Sequence, residues 1–210
     1  MRPDEIKKFP ELKALNDSNP EVVLKAIRNL GSTGLEAVYP AIGILIDLLD
    51  HPHIRVRQQA ALTLGRLEQA EPRIIEALLD TTFDRDSSVK RSAIGALGQL
   101  SQQERDPDVI ERLLELTFDK DERVREKAAS TLASLEMRDN LVINRLTELL
   151  RDRDITVRGT AIDGLAKVGN RTHLPLLKKF ITEEPVLDIY DSDLAVKAKN
   201  AFEQVANRNP

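Results

Sequence analysis

Residues 86–98 have the sequence DSSVKRSAIGALG, and the spacing of the small and apolar residues within this stretch decides the fold. Ala93 follows Val89 by four residues, and Leu97 follows it by eight. Residues with these separations lie on one face of an α-helix. The stretch is therefore predicted to form an amphipathic helix that buries the face carrying these three side chains.

The same pattern recurs along the chain at a nearly constant period. The valines at its core position are Val56, Val89, Val124 and Val157, at intervals of 33, 35 and 33 residues. Alanine and leucine follow at the same two offsets, as Ala60 and Leu64, Ala93 and Leu97, Ala128 and Leu132, and Ala161 and Leu165. A period of this length is typical of stacked structural units.

A second apolar pattern precedes each of these valines. Isoleucine stands fourteen residues before the valine and leucine eleven residues before it, three residues apart as on a helical face. The pairs are Ile42 and Leu45, Ile75 and Leu78, Ile110 and Leu113, and Ile143 and Leu146. Each unit is therefore predicted to consist of two amphipathic helices.

A short polar turn is expected between the two helices of each unit. The residue three before the valine is Asp86, Asp121 or Asp154, with His53 in the earlier unit. Aspartate at this position can cap the second helix by accepting hydrogen bonds from its first free amides. Asn19 followed by Pro20 predicts the same kind of helix start in a preceding unit.

The whole chain is predicted to be all-α, a right-handed α-α superhelix of about six helix pairs in one domain, residues 1–210. The expected units span about 4–31, 35–68, 72–101, 107–136, 140–169 and 172–206. The first leading helix is built on Ile6, Phe9, Leu12 and Leu15, and the last unit uses Leu174, Leu177, Asp191, Leu194, Ala198 and Phe202. An insertion near residues 183–190 is expected to fold back onto the last helix pair or to serve as a docking element.

The stretches DSSVKRSAIGALG at 86–98 and DRDITVRGTA at 152–161 resemble HEAT repeats. More narrowly, they resemble the short HEAT-like repeats of the phycobilisome-lyase class. The resemblance covers roughly residues 17–205. It implies an armadillo-like α-solenoid that binds other proteins, and it permits a role as a bilin lyase subunit or a phycobilisome-degradation factor, with a phycobiliprotein as partner.

Composition excludes several classes of function. The chain has 31 basic and 35 acidic residues and a net charge of -4, which disfavours a nucleic-acid-binding protein, although some DNA-repair proteins use similar solenoids. It has no cysteine, so its own side chains cannot provide a thiolate nucleophile or a disulfide. Charges near the start stand where a signal peptide needs an apolar stretch, so no signal peptide is expected. The longest apolar run, residues 38–49, is too short to span a membrane. A cytoplasmic protein is expected.

Side chains that could carry chemistry are sparse. His51 and His53 flank Pro52, but the third histidine, His173, lies several repeats away, and a metal site needs three or four ligands. No catalytic residue, metal or cofactor is predicted, and the chain is not expected to be an enzyme unless it acts as a lyase subunit with a partner. A recurring cation after the valine is expected to pair with turn aspartates rather than to bind phosphate. These residues are Arg57, Lys90, Arg125 and Arg158, with Asp84, Asp119 and Asp152.

A partner protein is expected to bind the concave face, which the second helices line in solenoids of this kind. Side chains three, seven and ten residues after the core valine should point there. The predicted contacts are Gln59, Thr63, Arg66, Ser92, Gln99, Lys127, Thr131, Ser134, Thr160 and Lys167. Because the middle is small and neutral and cations flank it, the expected occupant is a helix or an extended segment with some negative charge.

Overall fold

The computed structural model describes residues 11–33, 38–67, 71–102, 105–182 and 189–208, and every regular element in these ranges is helical. None of the helices in them is long and apolar enough to cross a membrane. The chain divides into two compact units, residues 1–109 and 110–210, so the single continuous domain stays a prediction. Ile6 and Phe9 of the expected first helix and residues 183–188 of the expected insertion lie outside the described residues.

In the first unit, second helices stack on one another and each leading helix packs beside its second helix. The bounds are α1 Glu11–Ala14, α2 Pro20–Thr33, α3 Ile42–Asp47, α4 Ile54–Leu64, α5 Pro72–Thr81 and α6 Ser87–Leu100. Helix α4 packs against α2 and α6, while α1, α3 and α5 pack against α2, α4 and α6 respectively. Short 3-10 turns flank α3, at Tyr39–Ala41 and Leu48–Asp50.

The second unit repeats this arrangement, and the boundary between the units falls within α7, Pro107–Leu116. The later helices are α8 Glu122–Ser134, α9 Asn140–Leu149, α10 Ile155–Val168, α11 Leu174–Thr182 and α12 Ile189–Ala206. A 3-10 turn at Arg171–His173 precedes α11. Helix α10 packs against α8 and α12, and α9 and α11 pack against α10 and α12. Each unit is therefore built from stacked helix pairs.

The recurring valine, alanine and leucine form the core, as their spacing predicts. In all four repeats these three side chains are 0% exposed, including Val89, Ala93 and Leu97. Burying a valine or leucine contributes about 1.5–3 kcal/mol relative to exposure, so the stripe is a main source of stability in each unit. Three predicted core residues differ, because Ile110, Leu174 and Phe202 are only half-buried.

Candidate functional site

Aspartate side chains fix the turn between the paired helices. A carboxylate oxygen of Asp86 accepts a hydrogen bond from the Ser88 amide at 2.9 Å, and Asp121 and Asp154 cap α8 and α10 in the same way. Asn19 accepts one from the Glu21 amide at 3.0 Å. The predicted caps are thus confirmed. His53 occupies the equivalent position before α4, but its side chain makes no capping bond, and its buried Nδ1 has no hydrogen-bond partner in the part of the chain that the structure describes.

Two of the recurring arginines clamp one repeat to the next, an arrangement called here the Arg–Asp clamp. Arg57 donates from Nε and Nη2 to the two carboxylate oxygens of Asp84, at 2.6 and 3.0 Å. Arg125 donates in the same way to Asp152, at 2.8 Å for both bonds. The remaining Nη1 of each arginine donates to carbonyls of its own turn, those of His51 and Asp119 at 2.9 Å.

The clamp leaves little for a ligand to bind. Arg57 and Arg125 are each 5% exposed. In both arginines the guanidinium group donates hydrogen bonds to a carboxylate and to a turn carbonyl. The predicted pairing with turn aspartates is confirmed for these two arginines, and in both cases the aspartate belongs to the next repeat. Arg158 makes the same turn bond, from Nη1 to the Asp152 carbonyl at 3.0 Å, but it has no carboxylate partner among the described residues. A phosphate-binding row of arginines is therefore not available at Arg57 and Arg125.

Burial and charge act in opposite directions on the clamp carboxylates. Burial alone raises the pKa of Asp84. The hydrogen bonds from Arg57 and the Asp86 amide, together with the arginine charge, lower it by more than burial raises it. The pKa of Asp84 therefore lies below its ordinary value, and that of Asp152 does so for the same reasons with Arg125. Both carboxylates stay ionised in the range where proteins normally work.

The two neighbouring histidines serve the turn before α4. The Nδ1 atom of His51 accepts a hydrogen bond from the His53 amide at 3.0 Å. Burial is the largest influence that lowers the pKa of His51 below its ordinary value. Within the described ranges, no three histidine, aspartate or glutamate side chains come together as a metal site. This geometry accounts for the His51-Pro52-His53 stretch as turn structure.

The predicted contact residues do not all reach the surface. Arg66, Gln99 and Lys167 are exposed; Gln59, Ser92, Lys127, Ser134 and Thr160 are half-buried. Thr63 and Thr131, by contrast, are 1% and 4% exposed, which corrects their assignment to the binding surface. The seven-residue offset points toward the stacking seam: the hydroxyl of Thr63 lies 3.9 Å from where a Cβ on Gly31 of α2 would stand.

The second unit contains a groove of about 690 Å³ formed by the second helices α8, α10 and α12. This second-unit groove has a floor of small residues that includes Ala133, Gly159 and Gly164. A Cβ on Gly164 would stand 3.2 Å from the Cβ of Ala133, so the glycine allows the close approach of α10 to α8. Small residues therefore form the floor of this groove where the helices approach one another.

The groove uses a slightly different helical face from the one that the sequence predicts. Thr160 and Lys167 of the predicted set line it, but Lys127, Thr131 and Ser134 of α8 do not. Helix α8 instead contributes Glu126, Ser130 and Ala133, which follow Val124 by two, six and nine residues. The lining of α8 is therefore rotated by one residue, a shift that depends on how the helices stack.

The electrostatics of the groove also differ from expectation. Its charged lining residues are Glu126, Asp163, Asp193, Lys167 and Lys197. Lys197 and Asp163 form an ion pair across α10 and α12, with Nζ 2.5 Å from a carboxylate oxygen. Because acids and bases are mixed, this lining does not select for the negatively charged partner expected from the sequence.

The model of HEAT repeats matches this sequence four times, at residues 10–83, 42–133, 71–154 and 110–189. The chain belongs to the HEAT-repeat family. No curated protein matches it, so the narrower resemblance to phycobilisome-lyase repeats has no support from a relative.

HEAT-repeat membership agrees with the similarity of the whole chain to solved structures. A crystal structure of an engineered protein from the Northeast Structural Genomics Consortium covers 98% of this chain and 97% of its own, at 21% identity and a TM-score of 0.64. A computationally designed armadillo repeat protein for modular peptide recognition covers 93% of this HEAT-repeat chain and 98% of its own, at 20% identity and a TM-score of 0.60. A designed armadillo repeat protein in complex with the peptide (KR)4 covers 92% and 98%, at 21% identity and a TM-score of 0.60. These similarities establish a repeat-solenoid fold.

Proposed function

We propose that this HEAT-repeat protein is a non-catalytic scaffold that binds a segment of another protein along the exposed surface of its second helices. The observation that carries the proposal is the second-unit groove, whose floor is small and whose walls carry both signs of charge. An extended segment or a helix of a partner fits such a surface, because polar and charged walls fix its register while small residues admit its backbone.

The similar structures support the class of partner. Two of them are designed armadillo repeat proteins, one made for modular peptide recognition and one bound to a peptide. Their stacked helix pairs resemble those of this chain, although sequence identity is 20% and 21%. The binding surface on this chain is argued from its own groove, because function depends on the site rather than on the fold.

Affinity capture with two matched double variants tests the proposal. Ser130→Arg together with Lys167→Glu fills the groove and reverses one wall charge, at two exposed positions. Asn144→Arg together with Arg138→Glu makes the same two kinds of change outside the groove, also at exposed positions. We expect the groove variant to lose a stoichiometric partner that the wild type and the control variant both retain.

If the groove variant retains every partner that the wild type captures, the second helices are not the binding surface. Circular dichroism on both variants establishes that they are folded. The charge reversals Arg66→Glu and Lys127→Glu extend the test to positions predicted from sequence, of which Arg66 is exposed and Lys127 half-buried.

A pigment-linked role is the alternative supported by the sequence resemblance of residues 86–98 and 152–161 to phycobilisome-lyase repeats. In that role the partner is a phycobiliprotein, and the protein acts as a lyase subunit or a degradation factor. Titration with phycocyanobilin distinguishes this alternative, since a bound bilin changes its visible absorption. An unchanged spectrum at saturating protein contradicts it.

A further inference from the structure

The first unit contains a concavity of its own, which none of the predicted contact residues lines. This cleft of about 500 Å³ lies between α5 and residues at the end of α6 and around the start of α7, and we call it the acidic cleft. Its apolar wall includes Ile75 and Leu79 of α5 and Leu100 at the end of α6. Four carboxylic acids line the rest: Glu76, Asp80, Asp106 and Asp108.

The four carboxylates of the acidic cleft are not matched by cations among the described residues of its lining. Neither lysine nor arginine is among the described residues that line it, and none of the four acids forms an ion pair within the described part of the chain. One carboxylate oxygen of Asp106 accepts a hydrogen bond from the Asp108 amide nitrogen, 2.9 Å away, at the start of α7. The clamp carboxylates Asp84 and Asp152, by contrast, are each held by an arginine.

A buried hydroxyl provides an independent indication of a ligand. Ser101 also lines the cleft, is 1% exposed, and its Oγ has no hydrogen-bond partner among the described residues. A hydroxyl left unsatisfied in the interior costs free energy, and such groups are rare in folded proteins. A ligand that offers a hydrogen bond to this oxygen would remove that cost.

We propose that the acidic cleft binds a protonated aliphatic amine, with its ammonium group among the carboxylates and Ser101 and its alkyl stem against Ile75, Leu79 and Leu100. An ammonium group carries three donors, and the cleft offers acceptors and apolar contacts together. A bare metal ion fits less well, because the described acids form no cluster of three that could hold one. A free polyamine and a lysine side chain of a bound polypeptide share this chemistry.

A titration followed by two-dimensional nitrogen-proton NMR tests this proposal, with 1,5-diaminopentane as the probe. We expect saturable shifts at the amides around Leu79, Ser101 and Asp108, with a Kd on the order of 1 mM that rises with salt. Asp80→Asn with Asp108→Asn should weaken binding by roughly fivefold, since each exposed charge contact is modest. Asp47→Asn, an exposed acid of α3 outside the cleft, is the control and should leave the Kd unchanged.

Ser101→Ala separates a binding role from a structural one. Removal of an unpartnered buried hydroxyl should leave the midpoint of unfolding unchanged or raise it, and should still weaken binding of the diamine. Spermidine and a short lysine-containing peptide are titrated in parallel. The one that binds with the lower Kd identifies the source of the amine. The proposal would be overturned by the absence of saturable shifts or by equal binding of the diamine to the Asp80/Asp108 variant. It would also be overturned by equal shifts with 1-pentanol, or by a calcium ion that binds these residues more tightly than the amine does.

Discussion

At the scale of single residues, the Arg–Asp clamp is the interaction that most clearly joins one repeat to the next. Arg125 and Asp152 are 27 residues apart in sequence, and their side chains are 6% and 9% exposed. Two parallel hydrogen bonds between a guanidinium and a carboxylate fix orientation as well as distance. In a buried pair, loss of one partner leaves a charge without compensation, which costs more than the intact pair contributes.

Arg125→Met should therefore lower the free energy of unfolding by about 3 kcal/mol, because the Asp152 charge is left nearly buried and unpaired. Arg125→Met with Asp152→Asn should recover about 1 kcal/mol of that loss, since the buried charge is gone. Urea denaturation measures both values. Arg151→Met, an exposed neighbour, is the control. An Arg125→Met variant as stable as the wild type would show that the clamp has no role in stability.

The clamp also predicts a pH dependence. The pKa values of Asp84 and Asp152 are lower in the folded chain than their ordinary values. A depressed pKa contributes stability that is complete above the unfolded pKa and is lost as the pH falls through the folded one. Unfolding free energy should thus decrease as the pH falls below about 5, and less steeply in the Arg125→Met, Asp152→Asn variant. Equal slopes in the two proteins would contradict this origin of acid sensitivity.

At the scale of helices, close packing of the second helices depends on small residues. A Cβ added to Gly65, at the end of α4, would stand 2.6 Å from the Cα and 2.7 Å from the Cβ of Ala96 in α6. Gly43 in α3 offers the matched comparison, because a Cβ there would meet nothing within 4 Å. The same substitution is therefore expected to have opposite effects at the two positions.

Gly65→Ala should destabilise the chain by about 1–3 kcal/mol, because α4 and α6 must move apart. Gly43→Ala should stabilise it by about 0.5–1 kcal/mol, since alanine favours helix and the site is open. Thermal unfolding of the two variants, compared with the wild type, measures the difference. Stabilisation by both substitutions would contradict the close approach of α4 and α6.

Sequence predicted the features that depend on residues near each other in the chain. Asp86 and the Val89, Ala93 and Leu97 stripe are set by helix geometry over a few residues, so both the cap and the buried face were correct. Thr63 was misplaced because its burial depends on the neighbouring helix. The contribution of Glu126 to the groove, rather than Lys127, likewise depends on the rotation of α8 against α10. No local spacing encodes that rotation.

At the scale of the molecule, the stacking of repeated helix pairs provides an exposed groove as well as stability. Each helix pair covers the apolar side of its neighbour within its unit, so stability is expected to accumulate from pair and interface terms. The same stacking brings exposed residues of α8, α10 and α12 into one groove, although they are separated by tens of residues in sequence. We propose that a partner polypeptide lies on these second helices.

Site-specific photo-crosslinking in a lysate of the source cells tests that claim most directly. The photoreactive residue p-benzoylphenylalanine would replace Ser130 in the second-unit groove or, as control, the exposed Asn144 on leading helix α9. We expect a discrete crosslinked partner from position 130 and none from position 144. The same partner crosslinked from position 144, with none from position 130, would contradict it.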